Sequence, residues 1–154
     1  METDDSAMRS AGPRTLFTIG YQGLTPTEFV DRLKAHRVSM IVDVRESPFS
    51  RKPGFSKSTL QNLLADEGIE YLHLRRLGSP REIRNELREK GDFAAFSESY
   101  RSYLASASSD LDRLESLAVV KPTAIMCFEQ AVEQCHRGII AAALGQRGFT
   151  IKDL

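Results

Sequence analysis

Thr123-Ala-Ile-Met-Cys127-Phe-Glu129-Gln-Ala-Val-Glu-Gln-Cys135-His136-Arg137-Gly138-Ile-Ile-Ala-Ala-Ala-Leu144 is the stretch from which the fold is read. Residues 123–126 form an apolar run of the length of a buried strand, and residues 138–144 continue as an apolar helix. Between them one turn region holds both cysteines, a carboxylate, an imidazole and a guanidinium. Open α/β sheets place ligand sites where a strand delivers its last residues into a loop and then into a helix N-terminus.

Outward from this stretch the same alternation recurs. Strands are expected over 16–19, 39–43 and 70–74, with helices over 25–36 and 56–67. Thr25 precedes Pro26 at the first helical position and has Glu28 at capping-box distance, while Gly68 stands where a C-terminal cap belongs. Helical patterns then cover 82–90 and 93–106, with a short helix over 110–117. The stretch around 123–146 follows, and a terminal strand closes the chain over 149–152. Strands that alternate with helices run parallel and are joined by crossovers that cover both faces of the sheet. The expected fold is α/β, a three-layer open sheet, mostly parallel, with a helical insertion between strands three and four.

The 154 residues, 41% of them hydrophobic, suit one α/β domain over 14–154, preceded by a polar, aperiodic leader over 1–13 that reads as disordered. Lys plus Arg equals Asp plus Glu at 21 each, so no net charge calls for a nucleic acid or an anionic membrane; anion binding must come from local clustering. No apolar run reaches the roughly 20 residues that span a bilayer, and the start Met1-Glu-Thr-Asp-Asp lacks a signal peptide's basic and apolar regions. A cytoplasmic protein with no membrane partner is the expectation. In that compartment two cysteines read as thiols, metal ligands or reactive groups rather than as a structural staple.

Residue types at the strand ends nominate the site. Cys127 and Glu129 lie two apart at the end of the fourth strand. Cys135, His136 and Arg137 lie at a helix start, where free N–H groups lower a thiol pKa and attract anions. Arg137 reads either as a ligand for a substrate anion or as the partner of Glu129. The four groups Cys127, Glu129, Cys135 and His136 are zinc-ligand types, but their spacing matches no standard knuckle, so no metal is assigned and no cofactor is expected. Asp43 and Arg45 close the second strand, and the loop after it carries Arg51 and Lys52, with Lys57 just beyond. Phe49 and Phe55 lie among these charges, a mixture that suits a base stacked over a phosphate. Tyr21 and Gln22 follow the first strand in a Gly20-Tyr-Gln-Gly23 turn that is neither a dinucleotide fingerprint nor a Walker loop.

Taken together, Thr18-Ile-Gly-Tyr-Gln22, Val42-Asp-Val-Arg45, Phe55-Ser-Lys57, Tyr71-Leu-His73-Leu with Leu77-Gly78, and Cys127-x-Glu129 with Cys135-His136-Arg137 resemble the domain-of-unknown-function 488 family. The resemblance runs from Leu16 to the end of the chain and implies an α/β fold without an assigned activity. Members of that family often carry His where this chain has Tyr21. Val42-Asp-Val-Arg45 also resembles the strand motif of rhodanese sulfurtransferases, whose Cys-bearing anion loop has several glycines that the loop here lacks.

One crevice at the C-terminal edge of the sheet is therefore expected to collect these residues. The catalytic candidates are Cys127, Glu129, Cys135 and Asp43. The substrate-binding candidates are Tyr21, Gln22, Arg45, Arg51, Lys57, His136 and Arg137. The first reading is an enzyme acting on nucleotides or nucleic acid, with a phosphate-bearing partner and Glu129 or Asp43 as acid, base or nucleophile. The second is a thiol-dependent sulfur-transfer or redox enzyme using Cys135 or Cys127. The third is a nucleotide or nucleic-acid binding module without turnover.

Overall fold

Short β-rich apolar runs and longer amphipathic segments alternate along the chain, and each becomes the element its period dictates. The computed structural model describes residues 14–154, so the leader expected over 1–13 lies outside the described residues. Strands β1 (Arg14–Gly20), β2 (Met40–Asp43), β3 (Glu70–His73), β4 (Thr123–Cys127) and β5 (Phe149–Asp153) form one all-parallel sheet in the order β3-β2-β4-β1-β5. All five residues of β4 are buried, as befits a central parallel strand covered on both faces.

Six α-helices are α1 (Pro26–Ala35), α2 (Lys57–Asp66), α3 (Arg81–Lys90), α4 (Phe93–Ala105), α5 (Ser108–Val120) and α6 (His136–Gln146). The helix expected over 110–117 is longer than its apolar pattern suggested, because Leu111, Leu114 and Ala118 give it a continuous buried stripe. Helix α1 has the expected capping box, with Thr25 and Glu28 each accepting from the other's backbone N–H. Ser56 stands at the start of α2 but does not cap it; its hydroxyl instead accepts from the Ser50 N–H and donates to the Ser50 carbonyl, which pins the preceding loop.

On one face, Ile19, Ile41 and Met126 pack with Phe29 and Leu33 of α1 and Leu60 and Leu64 of α2. On the other, Leu16, Val42 and Ile125 pack with Tyr100, Leu114 and Ile140 of α4, α5 and α6. Helix α3 has no fully buried residue and leans on this second layer through Ile83 and Leu87. The chain leaves β1 and β2 toward the first face, and leaves β3 and β4 toward the second. The direction therefore reverses on either side of β4, which opens a crevice above its C-terminal end. No helix among the described residues is long and apolar enough to cross a membrane.

Candidate functional site

Parallel register brings Gly20 of β1 beside Cys127, and Asp43 of β2 beside Met126, so the strand ends nominated from sequence emerge at one level. Above them lies a cavity of about 750 Å³ whose lining includes Tyr21, Arg45, Arg51, Cys127, Glu129, Cys135 and His136. Cys127 ends β4 and Cys135 is the N-cap of α6; their sulfurs meet as a disulfide across eight positions of sequence. Both side chains are almost wholly buried, and both residues line the cavity.

Arg137 is the most unusual group in the site. It is 1% exposed, yet it makes no ion pair with a carboxylate among the described residues. Its Nη1 donates to Cys127 Sγ at 3.0 Å and to the Glu129 carbonyl at 2.6 Å, and its Nη2 donates to the Gln130 carbonyl at 3.3 Å. Its Nε has no partner among the described residues. Burial pushes the guanidinium below its ordinary pKa, and the charges of Asp153, Glu129 and Glu133 offset this only in part. A buried cation in this condition favours an anion among its acceptors, and beside the two backbone carbonyls the one acceptor able to become an anion is the Cys127 sulfur. Gly20 makes room for the arrangement: a Cβ there would fall 1.8 Å from the Glu129 carbonyl oxygen and 2.9 Å from Arg137 Nη1.

Cys135 sits in a different field. Its sulfur accepts from the Arg137 backbone N–H at 3.4 Å, as an N-cap side chain does, and lies 3.7 Å from His136 Nδ1. His136 Nε2 is 2.7 Å from the Val44 carbonyl, which can only accept, so Nε2 carries the proton and Nδ1 presents a lone pair to the Cys135 sulfur. Burial first, and the charges of Arg137 and Arg84 after it, push His136 down to about 4, which keeps the ring neutral near pH 7. The sequence reading of His136 as a substrate ligand thus meets a ring already engaged with Val44 and Cys135.

Asp43 is fully buried and both of its oxygens are engaged. Oδ1 accepts from the Arg45 backbone N–H and Nε, and Oδ2 from Arg45 Nη2 at 2.7 Å and Tyr71 Oη at 2.5 Å. Each side-chain nitrogen of Arg45 has a partner in turn, with Nη1 on Tyr21 Oη and on the Phe55 carbonyl. Burial works against the Arg45 charge, but the bonds and the charge of Asp43 outweigh it and hold its pKa above the ordinary value. Asp43 and Arg45 therefore brace the loop after β2, and a free carboxylate for acid–base work is not available there. Glu129 is a half-buried carboxylate of the site, as is Glu46, and its Oε1 lies 3.8 Å from Cys127 Sγ; Arg137 meets the Glu129 carbonyl rather than its carboxylate.

Of the remaining nominated residues, Tyr21 stacks on Phe55 with ring centres 4.5 Å apart and lines the cavity. Gln22 is exposed, and its side-chain oxygen accepts from the Gln130 N–H, which ties the β1 turn to the β4 loop. Arg51 lines the cavity, whereas Lys57 is exposed at the start of α2 and is not among the lining residues. Phe55 is buried, while Phe49 is 69% exposed. Cys127, Glu129 and Cys135 each bring one sulfur or oxygen within 4.8 Å of the others, a grouping that could accept a metal ion. The guanidinium 3.0 Å from Cys127 Sγ sets a positive charge against that point and opposes a second cation.

Sequence reasoning did not nominate Arg84 and Arg88, which line the cavity from α3, or Phe128 at its rim. Arg84, Leu87 and Arg88 share a helix face at spacings of three and four, which was the available signal. That spacing cannot say which surface the face meets.

A family model described as Domain of unknown function DUF488 matches residues 25–144. That span takes in every strand from β2 to β4, both cysteines and Arg137, and the chain belongs to this family. No curated protein and no solved structure matches the chain.

Proposed function

We propose that this DUF488 member uses Cys127 and Cys135 in thiol-dependent sulfur-transfer or redox chemistry on an anionic substrate held in the crevice above β4. The observation that carries this reading is the meeting of both sulfurs on the cavity wall, beside a buried Arg137 that has no carboxylate partner among the described residues. In the dithiol state the Cys127 thiolate supplies the anion that Arg137 lacks. Glu129 Oε1 is placed to receive the Cys127 proton. Arg51, Arg84 and Arg88 around the cavity favour a negatively charged substrate. The test is iodoacetamide labelling of the reduced, folded protein at neutral pH. Rapid labelling of one cysteine is expected; two inert thiols would remove the reading.

A second reading, binding or turnover of a nucleotide or nucleic acid, is supported by Phe49 and Phe128. Both are exposed at the cavity rim near arginines, where a base can stack and a phosphate can pair. Thermal unfolding against nucleotides, oligonucleotides, phosphate and thiosulfate separates the two. A ligand at about one hundred times its dissociation constant adds roughly 2.7 kcal/mol. A nucleotide shift lost in Phe49→Ala and Arg88→Ala favours the second reading.

A further inference from the structure

We propose that the two thiols have fixed and unequal roles: Cys127 is the attacking thiolate, Cys135 is the resolving thiol, and the substrate is an organic anion that presents a sulfur–sulfur bond. The inference rests on the thiol reading above and adds a direction of reaction and a substrate class to it.

The asymmetry lies in the partners. Cys127 Sγ faces the charged Nη1 of Arg137, a donor that strengthens as the sulfur becomes negative. Cys135 Sγ faces the unprotonated Nδ1 of His136, an acceptor that holds a proton on the thiol. Cys127 also faces the Glu129 carboxylate, but at 3.8 Å against 3.0 Å for the guanidinium, so the cation dominates there, and Cys135 has no charged donor among the described residues to favour S⁻. The N-cap bond from the Arg137 N–H to Cys135 is a single, longer, neutral-donor contact at 3.4 Å, so it does not reverse the order.

Two adjacent thiols that close to a disulfide give up two electrons, and the substrate must accept them. Sulfur bonded to sulfur accepts them by substitution alone, with no further cofactor. In the first step the Cys127 thiolate attacks a sulfur of R–S–S–R′; a Cys127–S–S–R bond forms and R′–S⁻ leaves. In the second, Cys135 loses its proton to solvent as its sulfur attacks Cys127 Sγ, the protein disulfide forms, and R–S⁻ leaves. The dithiol is oxidised by two electrons and R–S–S–R′ is reduced to two thiolates. Both cysteines line the same cavity and their sulfurs already meet, so the second step needs no large movement. Three guanidinium side chains of that lining, Arg51, Arg84 and Arg88, select for negative charge on R; Arg84 shares its charge with Glu46 at 2.9 Å.

The probe is dithiobis-nitrobenzoate, an anionic aromatic disulfide whose released thiolate is coloured, used on the reduced, folded chain. Wild type is expected to release about two equivalents of thionitrobenzoate and to retain none. Cys135→Ser should release one and keep the other on Cys127, seen as an intact-mass adduct. Cys127→Ser should react at least about tenfold more slowly. Fast reaction of Cys127→Ser with the adduct on Cys135 would overturn the role assignment and leave thiol chemistry standing. No reaction of the folded wild type, with both thiols titrating after denaturation, would end both. Neutral dithiodipyridine, also an aromatic disulfide with a good leaving group, reacting as fast as the anionic probe, each rate taken relative to free cysteine, would remove the substrate class. Arg137→Lys is a second variant that keeps the charge: its Cys127 labelling profile should move to higher pH, and an unmoved profile would deny Arg137 its part.

Discussion

Two arginines are buried at the ends of neighbouring elements, and they are set up in opposite ways. Arg45, after β2, closes a fork on Asp43 and spends its remaining Nη1 hydrogens on Tyr21 and Phe55. Arg137, at the start of α6, is more deeply buried, has no carboxylate partner among the described residues, leaves Nε unbonded and leans on a sulfur. The first arrangement neutralises its own charge and needs nothing from outside. The second is complete only when an anion forms next to it. Satisfied buried charges read as architecture, and an unsatisfied one marks where charge changes during function.

The largest test of this contrast is to remove a partner on the satisfied side. Asp43→Ala strands the Arg45 charge and is expected to lower stability by about 3–5 kcal/mol in chemical denaturation. Arg137→Met removes a charge that has no carboxylate partner among the described residues. Its stability change should stay near 1 kcal/mol, while Cys127 labelling at neutral pH falls steeply. Equal losses of stability from the two variants would erase the distinction between them.

A smaller effect separates the two ends by pH. His136 is pushed down to about 4 in the fold, mainly by burial, while the unfolded chain titrates near an ordinary histidine value. Between these values the unfolded state binds the additional proton, so stability rises with pH across the window. It is complete above about pH 6.5 and falls by about 3 kcal/mol on going down to about pH 4. His136→Gln keeps a donor for Val44 without the titration. Its denaturation curve should therefore lose that part of the acid sensitivity, and an unchanged pH slope would place the titration elsewhere.

The smallest effect is expected from a third arginine. Arg147 pairs with Asp112 at 2.8 Å and Glu115 at 2.6 Å, but at the surface. Arg147→Met should cost less than about 1 kcal/mol, with a salt dependence the Arg45 pair lacks. A loss comparable to that of Asp43→Ala would show that carboxylate pairing, rather than burial, sets the scale.

Much of the fold was legible because its signals are local. The period of apolar residues set strand against helix, Thr25 and Gly68 bounded their helices, and the apolar run 123–126 announced a buried strand. The site was legible as far as placement: residues that end parallel strands must gather at one edge, and Tyr21, Arg45, Cys127 and Glu129 do. Ser56 opens its helix without capping it, because a capping hydroxyl and a loop-bracing one have the same sequence context, and the competing Ser50 contact lies outside that context.

By itself, then, the sequence determined the class of the fold, the alternation of its elements and the edge on which its chemistry gathers, since each follows from spacing along the chain. The tertiary structure alone decided the order β3-β2-β4-β1-β5, the arrival of Arg84 and Arg88 over the crevice, and the partner of each buried charge. Asp43-x-Arg45 and Cys127-x-Glu129 look alike as motifs, one an inert brace and the other beside a guanidinium with no carboxylate partner among the described residues. Which becomes which depends on distances between segments far apart in sequence, through desolvation and hydrogen bonds of angstrom range, and no local period encodes those distances.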